Sequence, residues 1–301
     1  HDAVLGIVSR RADARELFRL VRGHEPEGCW HLSALMCAQH RSDVIAQIKA
    51  ALQQRRDAGA SAPPVRVIST QIVEAGVDLD FPVVFRALAG LDSIFQAAGR
   101  CNREGRLPAP GDVHVFVPVT QPPPGLLRQA RDTCRAIWHD RPRDPFALDL
   151  FERYFRRLHH DAPSLDTKGI CDALQLQADG REGTLAVRFR DAADNFRLID
   201  DQDSATVLVR YRSPSARADI DQLIGLLERD GPSRWLMRKL QRYGVTVYRY
   251  HLDKLLVAGD IHEVASCPGL FVQTQGWEGF YDPLLGANVD GAPGDPGAFV
   301  E

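Results

Sequence analysis

A chain of 301 residues, 44% hydrophobic and 26% charged, is long enough for two domains of ordinary size and is too rich in core-forming side chains to be disordered. Its formal net charge of -3 supplies no global basic field, so any nucleic-acid contact has to come from local patches and backbone amides. The six cysteines (Cys29, Cys37, Cys101, Cys134, Cys171, Cys267) form no CxxC pair, and there is neither a signal peptide nor an apolar run of membrane-spanning length, so a cytoplasmic protein with reduced thiols and no membrane contact is expected.

The first part of the chain alternates strand and helix. A short apolar strand is predicted at residues 4–8, so soon after His1 that the chain reads as a fragment of a longer polypeptide. Ala14, Leu17, Phe18 and Val21 follow at helical spacing. Residues 30–36 read as a second strand and 41–55 as an amphipathic helix. Strands are predicted at 66–69, 83–86 and 113–117, with a helix over 92–103. Short strands alternating with helices imply an open, mostly parallel α/β sheet, whose ligands sit at the carboxyl ends of the strands.

Gln121-Pro122-Pro123-Pro124 then reads as a stiff break. Two helices are expected after it, at 126–138 and 145–159, the second with Phe151, Tyr154, Phe155 and Leu158 on one packing face. Beyond Asp166 the pattern becomes mixed, with strands expected at 184–190, 205–211, 246–250 and 270–273 and helices at 219–228 and 234–243. A Gly/Pro-rich tail starts at Gly291. The expected organisation is an α/β domain over 1–120, a helical linker over 121–165 and a small α+β accessory domain over 166–301.

Two stretches carry chemistry. In Gln96-Ala97-Ala98-Gly99-Arg100-Cys101-Asn102-Arg103 a helix would set two guanidiniums one turn apart, with Gly99 leaving room for a backbone or a phosphate. Two arginines so placed can clamp the charge on a transferring γ-phosphoryl group; a solvated basic helix is the plain alternative. Upstream, Ser69-Thr70-Gln71 ends a strand, and the chain then runs through Glu74 and Gly76 to Asp78. Hydroxyls and free amides at a strand end suit nucleic-acid phosphates, although a capped turn with a structural Asp explains the same residues.

Together the two stretches resemble motifs V and VI of superfamily 2 helicases, and residues 4–10 resemble motif IV, the first strand of a second RecA-like domain. The wording of 69–82, 86–94 and 96–105, and of His31-Leu32-Ser33-Ala34-Leu35-Met36-Cys37-Ala38-Gln39-His40-Arg41, resembles the CRISPR-associated helicase–nuclease of type I interference, nearest its type I-C branch. The resemblance is strong over 4–118; Phe196-Arg197-Leu198-Ile199 and Phe280-Tyr281-Asp282-Pro283 extend it to that family's accessory domain. It implies a RecA-like open parallel sheet in a DNA-translocating ATPase, recruited to a target-bound, crRNA-guided surveillance complex to unwind and degrade DNA. On that resemblance Arg100 and Arg103 face the γ-phosphate, Gln96 lies near the attacking water, and Gly76, Asp78 and Gly99 line the nucleotide side. Ser69, Thr70 and Gln71, with Arg10 and Arg41, would contact single-stranded DNA.

The departures from the family are equally definite. No G-x-x-x-x-G-K-[ST] or D-E-x-H sequence is present, and none of the four lysines (Lys49, Lys168, Lys239, Lys254) follows a glycine. The first RecA-like domain, which would hold most of the ATP and Mg²⁺, and the HD nuclease domain are therefore expected outside this chain, and the chain alone is expected to be inactive. Two alternatives stand beside this: the motor half of another superfamily 2 translocase from restriction or repair, or a non-catalytic binding subunit. The dipeptides His1-Asp2, His139-Asp140 and His160-Asp161 do not make an HD metal site, and a zinc site from Cys29, His31, Cys37 and His40 is disfavoured, so no metal is expected. Trp235, Tyr243, Tyr248 and Tyr250, interleaved with Arg234, Arg238, Arg242 and Arg249, read either as core aromatics beside a basic helix or as a stacking surface for single strands.

Overall fold

The computed structural model describes residues 1–139, 142–162, 164–178, 185–196, 204–276 and 279–289. Its first unit is a five-stranded, all-parallel sheet built from β1 (Ala3–Ile7), β2 (Cys29–Leu32), β3 (Val65–Ser69), β4 (Val83–Ala87) and β5 (Asp112–Phe116) in the order β2-β3-β1-β4-β5. The central strands are near-continuous apolar runs because both their faces are covered: Leu5, Ile7, Val67 and Val84 are fully buried. The edge strand β5 is half exposed and keeps an alternating Asp-Val-His-Val pattern.

Helix α1 (Arg11–His24) follows β1, and α2 (Ala38–Ala58) follows β2. The chain reverses side at the middle of the sheet: β1 leads outward to β2, whereas β3 leads back across β1 to β4. The loops after β1, β3 and β4 line a cleft at the carboxyl ends of these strands, where open α/β sheets take their ligands. Ile7 and Ser69 are paired there, and the Val8 amide donates to the Ser69 carbonyl at 3.0 Å.

After β4 comes α3 (Leu91–Ala98), and after β5 the pair α4 (Leu126–Trp138) and α5 (Leu148–His160). The pair is no free tether. Cys134, Ile137, Leu150, Tyr154 and Leu158 form one core with Leu88, Leu91 and Ile94, and the Tyr154 hydroxyl donates to Asp92 Oδ1 at 3.0 Å. Of the expected packing face on α5, Tyr154 and Leu158 are buried, while Phe155 stays 39% exposed.

The remainder holds short elements α6 (Ile170–Ala173), β6 (Gln177–Ala178), β7 (Leu185–Ala186) and α7 (Phe189–Asn195), then a four-stranded mixed sheet. This second sheet comprises β8 (Ser204–Leu208), β9 (Gly244–Tyr248), β10 (Ile261–Glu263) and β11 (Leu270–Gln273) in the order β10-β11-β8-β9. Against it lie α8 (Ile220–Asp230), capped by the Asp219 carboxylate on the Asp221 amide, α9 (Arg234–Leu240) and α10 (Arg249–Ala258). A last hairpin pairs β12 (Tyr281–Asp282) with β13 (Gly286–Ala287). Among the described residues no helix is long and apolar enough to cross a membrane.

Several expectations need correction. The second strand stops at Leu32 rather than Met36, because Ser33 turns the chain: its carbonyl accepts from the Met36 amide at 3.1 Å and its hydroxyl from the Leu35 amide at 3.3 Å. The following helix starts at Ala38, not 41. The strand expected over 184–190 is only Leu185–Ala186 among the described residues, and a helix opens at Phe189. The strand expected to reach Tyr250 ends at Tyr248, where buried His251, Leu252 and Leu255 change the period from two to helical. The tail from Gly291, residues 197–199 and Asp140 lie outside the described residues.

The two units meet on the segment whose wording resembled the helicase–nuclease family. Leu35 and Cys37 belong to the core of the accessory unit. The Tyr281 hydroxyl accepts from the Cys37 amide at 3.0 Å and lies 2.9 Å from His40 Nδ1. His40, stacked on Tyr211 at 4.2 Å, gives a ring N–H to the Pro283 carbonyl; burial holds its pKa down at about 4, so it is neutral there. On the same helix the Asp43 carboxylate accepts from Ser213 and Ser215, and Gln39 donates to both hydroxyls. Gly286 has φ +79°, and a β-carbon on it would stand 2.4 Å from the Leu35 carbonyl oxygen, so only glycine lets the hairpin close. Replacing Tyr281 by Phe leaves the Cys37 amide without its acceptor and should cost about 1–3 kcal/mol. Urea unfolding of the chain checks this; a loss below about 0.5 kcal/mol would mean that the hydroxyl does not hold the units together.

Candidate nucleotide and nucleic-acid interface

The loop after β3 is built from its hydrogen bonds outward. Ser69 is fully buried, its hydroxyl donating to the Leu32 carbonyl at 3.0 Å and to the Thr70 carbonyl at 2.9 Å, while the Thr70 amide donates to Leu32 at 3.2 Å. The Ser69 hydroxyl and the Thr70 amide thus join β2 to β3, and Thr70 is only 5% exposed. Of the three residues expected along a passing strand, Ser69 and Thr70 are buried and Gln71 is exposed at the start of a 3-10 turn (Gln71–Val73). The turn closes through Glu74 N to Gln71 O at 2.9 Å, and Gly76 then takes φ +71° and brings the chain round to exposed Asp78.

The second stretch differs from the single helix expected. Helix α3 ends at Ala98 with Gly99 as its cap, its amide on the Phe95 carbonyl at 2.9 Å; Asn102, at φ 47°, turns the chain again. Phe81 and Cys101 then pair as a parallel bridge, with Phe81 N on Arg100 O at 3.0 Å and Asn102 N on Phe81 O at 2.9 Å. Arg100 and Arg103 consequently do not share a helix face. Arg100 points inward, 8% exposed, and its guanidinium donates to the Glu74 carbonyl at 2.6 Å and the Val77 carbonyl at 2.5 Å. Burial, and then the nearby Arg103 charge, lower its pKa.

Arg103 points outward. Its guanidinium lies 2.8 Å from Asp78 Oδ1 with both side chains substantially exposed, and its amide donates to Asp80 Oδ1 at 2.7 Å. Such a surface pair is worth about 0–1 kcal/mol, so Arg103 can change partner at little cost. The structure therefore brings Gly76, Asp78, Gly99, Arg100 and Arg103 into one locus. Gln96 lies elsewhere, on the exposed face of α3. It faces Gln71 across a cleft of ≈ 240 Å³ that Ser9, Glu74, Arg86 and Ser93 also line. Arg10 caps α1 and pairs with Asp13 at 3.7 Å beside the same crevice, whereas Arg41 is half-buried and donates to Met36 O at 3.0 Å.

Sequence reasoning missed the pair at the centre of this region. Arg86, 2% exposed in the middle of β4, sets Nε 2.8 Å from Glu74 Oε1, and Glu74 is 6% exposed. Ser93 on α3 completes the contact: it donates to Glu74 Oε2 at 2.6 Å and accepts from Arg86 Nη2 at 2.9 Å. Burial raises the Glu74 pKa and Arg86 opposes that rise; burial likewise lowers the Arg86 pKa, against the attraction of Glu74. The signal was present in Val83-Val84-Phe85-Arg86-Ala87, where a charge interrupts an otherwise apolar parallel strand and, once buried, demands a partner. Among the described residues no three His, Cys, Asp or Glu side chains stand together as metal ligands. Cys29 and Cys37 point into different surroundings, Cys29 Sγ onto Glu25 O and Cys37 into the accessory core.

A five-stranded parallel sheet carrying these two loops on either side of β4, joined to an α+β accessory unit, is a RecA-like domain with its accessory region. Residues 1–106 match the family model described as CRISPR-associated nuclease/helicase Cas3, C-terminal. A 40-residue stretch is 68% identical to CRISPR-associated nuclease/helicase Cas3 of Haloferax volcanii, covering 13% of this chain and 4% of that protein. The fold extends the likeness. T. fusca Cas3 with ADP superposes with a TM-score of 0.57 at 18% identity, over 95% of this chain and 39% of that one. T. fusca Cas3 with ATP gives 0.54 at 17%, over 90% and 35%, and a chain of a CRISPR RNA-guided surveillance complex before nicking gives 0.52 at 16%, over 90% and 37%. The chain thus spans little more than a third of the solved structures it resembles.

Removing one member of the Glu74–Arg86 pair strands the other in the interior. Arg86→Met should cost about 3–5 kcal/mol, and the double replacement Arg86→Met with Glu74→Leu should recover a large part of that loss. Thermal unfolding of the two variants checks it; a double variant no more stable than the single one would mean that Arg86 acts through packing and not through its partner.

Proposed function

We propose that this chain is the second motor domain and accessory domain of a cytoplasmic ATP-dependent DNA translocase of the Cas3 type, working with a crRNA-guided surveillance complex on target DNA. The observation that carries the reading is the joint held by Arg100: one guanidinium on the carbonyls of Glu74 and Val77 ties the loop that leads from Gln71 to Asp78 to the turn that carries Arg103. A loop fixed at one end to a crevice for nucleic acid and at the other to an exposed arginine is what coupling of strand movement to phosphoryl transfer requires.

In this reading Arg103 leaves Asp78 for the γ-phosphate when the first RecA-like domain, outside this chain, closes on it with ATP and Mg²⁺. Arg100 holds the loop, Asp78 and Gly76 line the nucleotide side, and Gln96 stands over the crevice near the attacking water. Gln71 and Arg10 meet the single-stranded DNA backbone, with Thr70 and Ser69 beneath them, and Arg41 supports the Met36 turn next to the track. The nuclease domain and the phosphate cradle lie in the rest of the protein, so this chain alone should not hydrolyse ATP with or without DNA.

An arginine on the transferring phosphoryl group is worth about 10³–10⁵ in kcat. Arg103→Ala in the whole protein should lose turnover on that scale with far less change in nucleotide affinity. Arg103→Lys should stay badly impaired because the planar fork is gone. Steady-state phosphate release with nucleotide titrations and melting curves checks this. Near-normal turnover in folded Arg103→Ala would mean that Arg103 belongs to a solvated basic surface and not to the γ-phosphate site.

A further inference from the structure

The accessory unit also reaches the mouth of the crevice. The Arg11 guanidinium lies over the Tyr248 ring, 5.7 Å from its centroid, and Arg11 directly follows Arg10 at the carboxyl end of β1. Tyr248 ends β9 and caps α10, so the next two residues, Arg249 and Tyr250, stand in the first turn of α10 close to that edge.

Tyr250 behaves unlike the core tyrosines of the same unit. Tyr243 and Tyr281 are 4% and 8% exposed and sit in its hydrophobic core, whereas Tyr250 is 57% exposed. Its ring is oriented: Lys254, one helical turn on, puts Nζ 4.2 Å from the ring centroid and donates to the hydroxyl at 2.8 Å. Arg249 is exposed beside it, and so is one acid of the helix, Asp253; the other nearby acid, Asp13, is engaged by Arg10 and by the Thr120 hydroxyl at 2.6 Å. A packing role does not account for an aromatic ring held open to solvent among cations.

We infer that Tyr250 is a base-stacking platform for single-stranded DNA at the mouth of the β1–β3 crevice, with Lys254, Arg249 and Arg11 meeting the adjoining phosphates. The inference rests on the DNA track proposed above and assigns that track a wall in the accessory domain. Stacking on a ring face tolerates any base, and cations beside the ring follow the backbone, so the site takes single strands without regard to sequence.

Titration of the 301-residue chain with a fluorescein-labelled strand of about twenty thymidines tests it. One stacked base is worth about fivefold to a hundredfold in affinity, so Tyr250→Ala should weaken binding within that range, while Tyr250→Phe stays within about twofold. A strand with abasic sites should bind the unaltered chain more weakly and bind Tyr250→Ala and the unaltered chain alike. A 2-aminopurine strand should lose its stacking-quenched signal only in Tyr250→Ala. Arg10→Ala and Gln71→Ala, measured beside them, report on the track itself. If these two weaken binding and Tyr250→Ala does not, the platform is overturned and the track stands. If none of the three changes binding, both are overturned. Melting curves should show no shift for Tyr250→Ala, since its side chain is largely exposed.

Discussion

The arrangement turns on what is done with three charges placed where water does not reach. Glu74 and Arg86 are withdrawn from solvent almost completely, and burial alone would drive both towards their neutral forms. Their mutual attraction opposes that drive, and with Ser93 between them it fixes their distance. An ion pair of this kind adds little net stability over an apolar pair of the same volume, because desolvation offsets most of the Coulombic gain. What it gives is position: the start of the loop at Glu74 cannot move without Arg86 of β4 and Ser93 of α3. Arg100 fixes the other end, on backbone carbonyls rather than on a carboxylate, so the loop is held by its main chain.

Against that rigidity, Arg103 and Asp78 form a contact that is exposed and cheap to break. The contrast is physically sensible for a site that has to exchange partners at one atom while keeping everything around it still. The accessory unit is likewise fixed by main chain as much as by side chain. Its terminal hairpin lies against the Leu35–Cys37 turn closely enough that Gly286 has no room for a side chain, and the Asp43–Ser213–Ser215 contacts bind α2 from the other side. A wall contributed by this unit to the crevice would therefore keep its place relative to β1 and β3.

Much of the parallel sheet could be read from residue order, since strands covered on both faces are continuous apolar runs such as Val65–Ser69 and Val83–Ala87. Helix α4 and strand β11 fall where their periodicity put them, at Leu126–Trp138 and Leu270–Gln273. What could not be read depends on partners distant in sequence. Helix α2 starts three residues early because Gln39 and Asp43 are buried by serines about 170 residues away, and no local pattern marks a buried carboxylate as satisfied. The site shows the same division. Its two loops are legible as a pair, but the opposite directions of Arg100 and Arg103 follow from Gly99 ending the helix and Asn102 turning the chain, and in the sequence Gly99 signals only a place of close approach. Ser69 looked like a donor to a ligand because its partner, the Leu32 carbonyl, lies on a neighbouring strand.

The most direct measurement is a structure of the whole protein with a non-hydrolysable ATP analogue and a single strand bound. The account requires the Arg103 guanidinium to have left Asp78 and to stand at about 3 Å from a terminal-phosphate oxygen. Arg100 should still be on the carbonyls of Glu74 and Val77, and Gln71 should be against a DNA phosphate. A closed complex in which Arg103 remains on Asp78, or in which the loop from Gln71 to Asp78 has detached from Arg100, would contradict it.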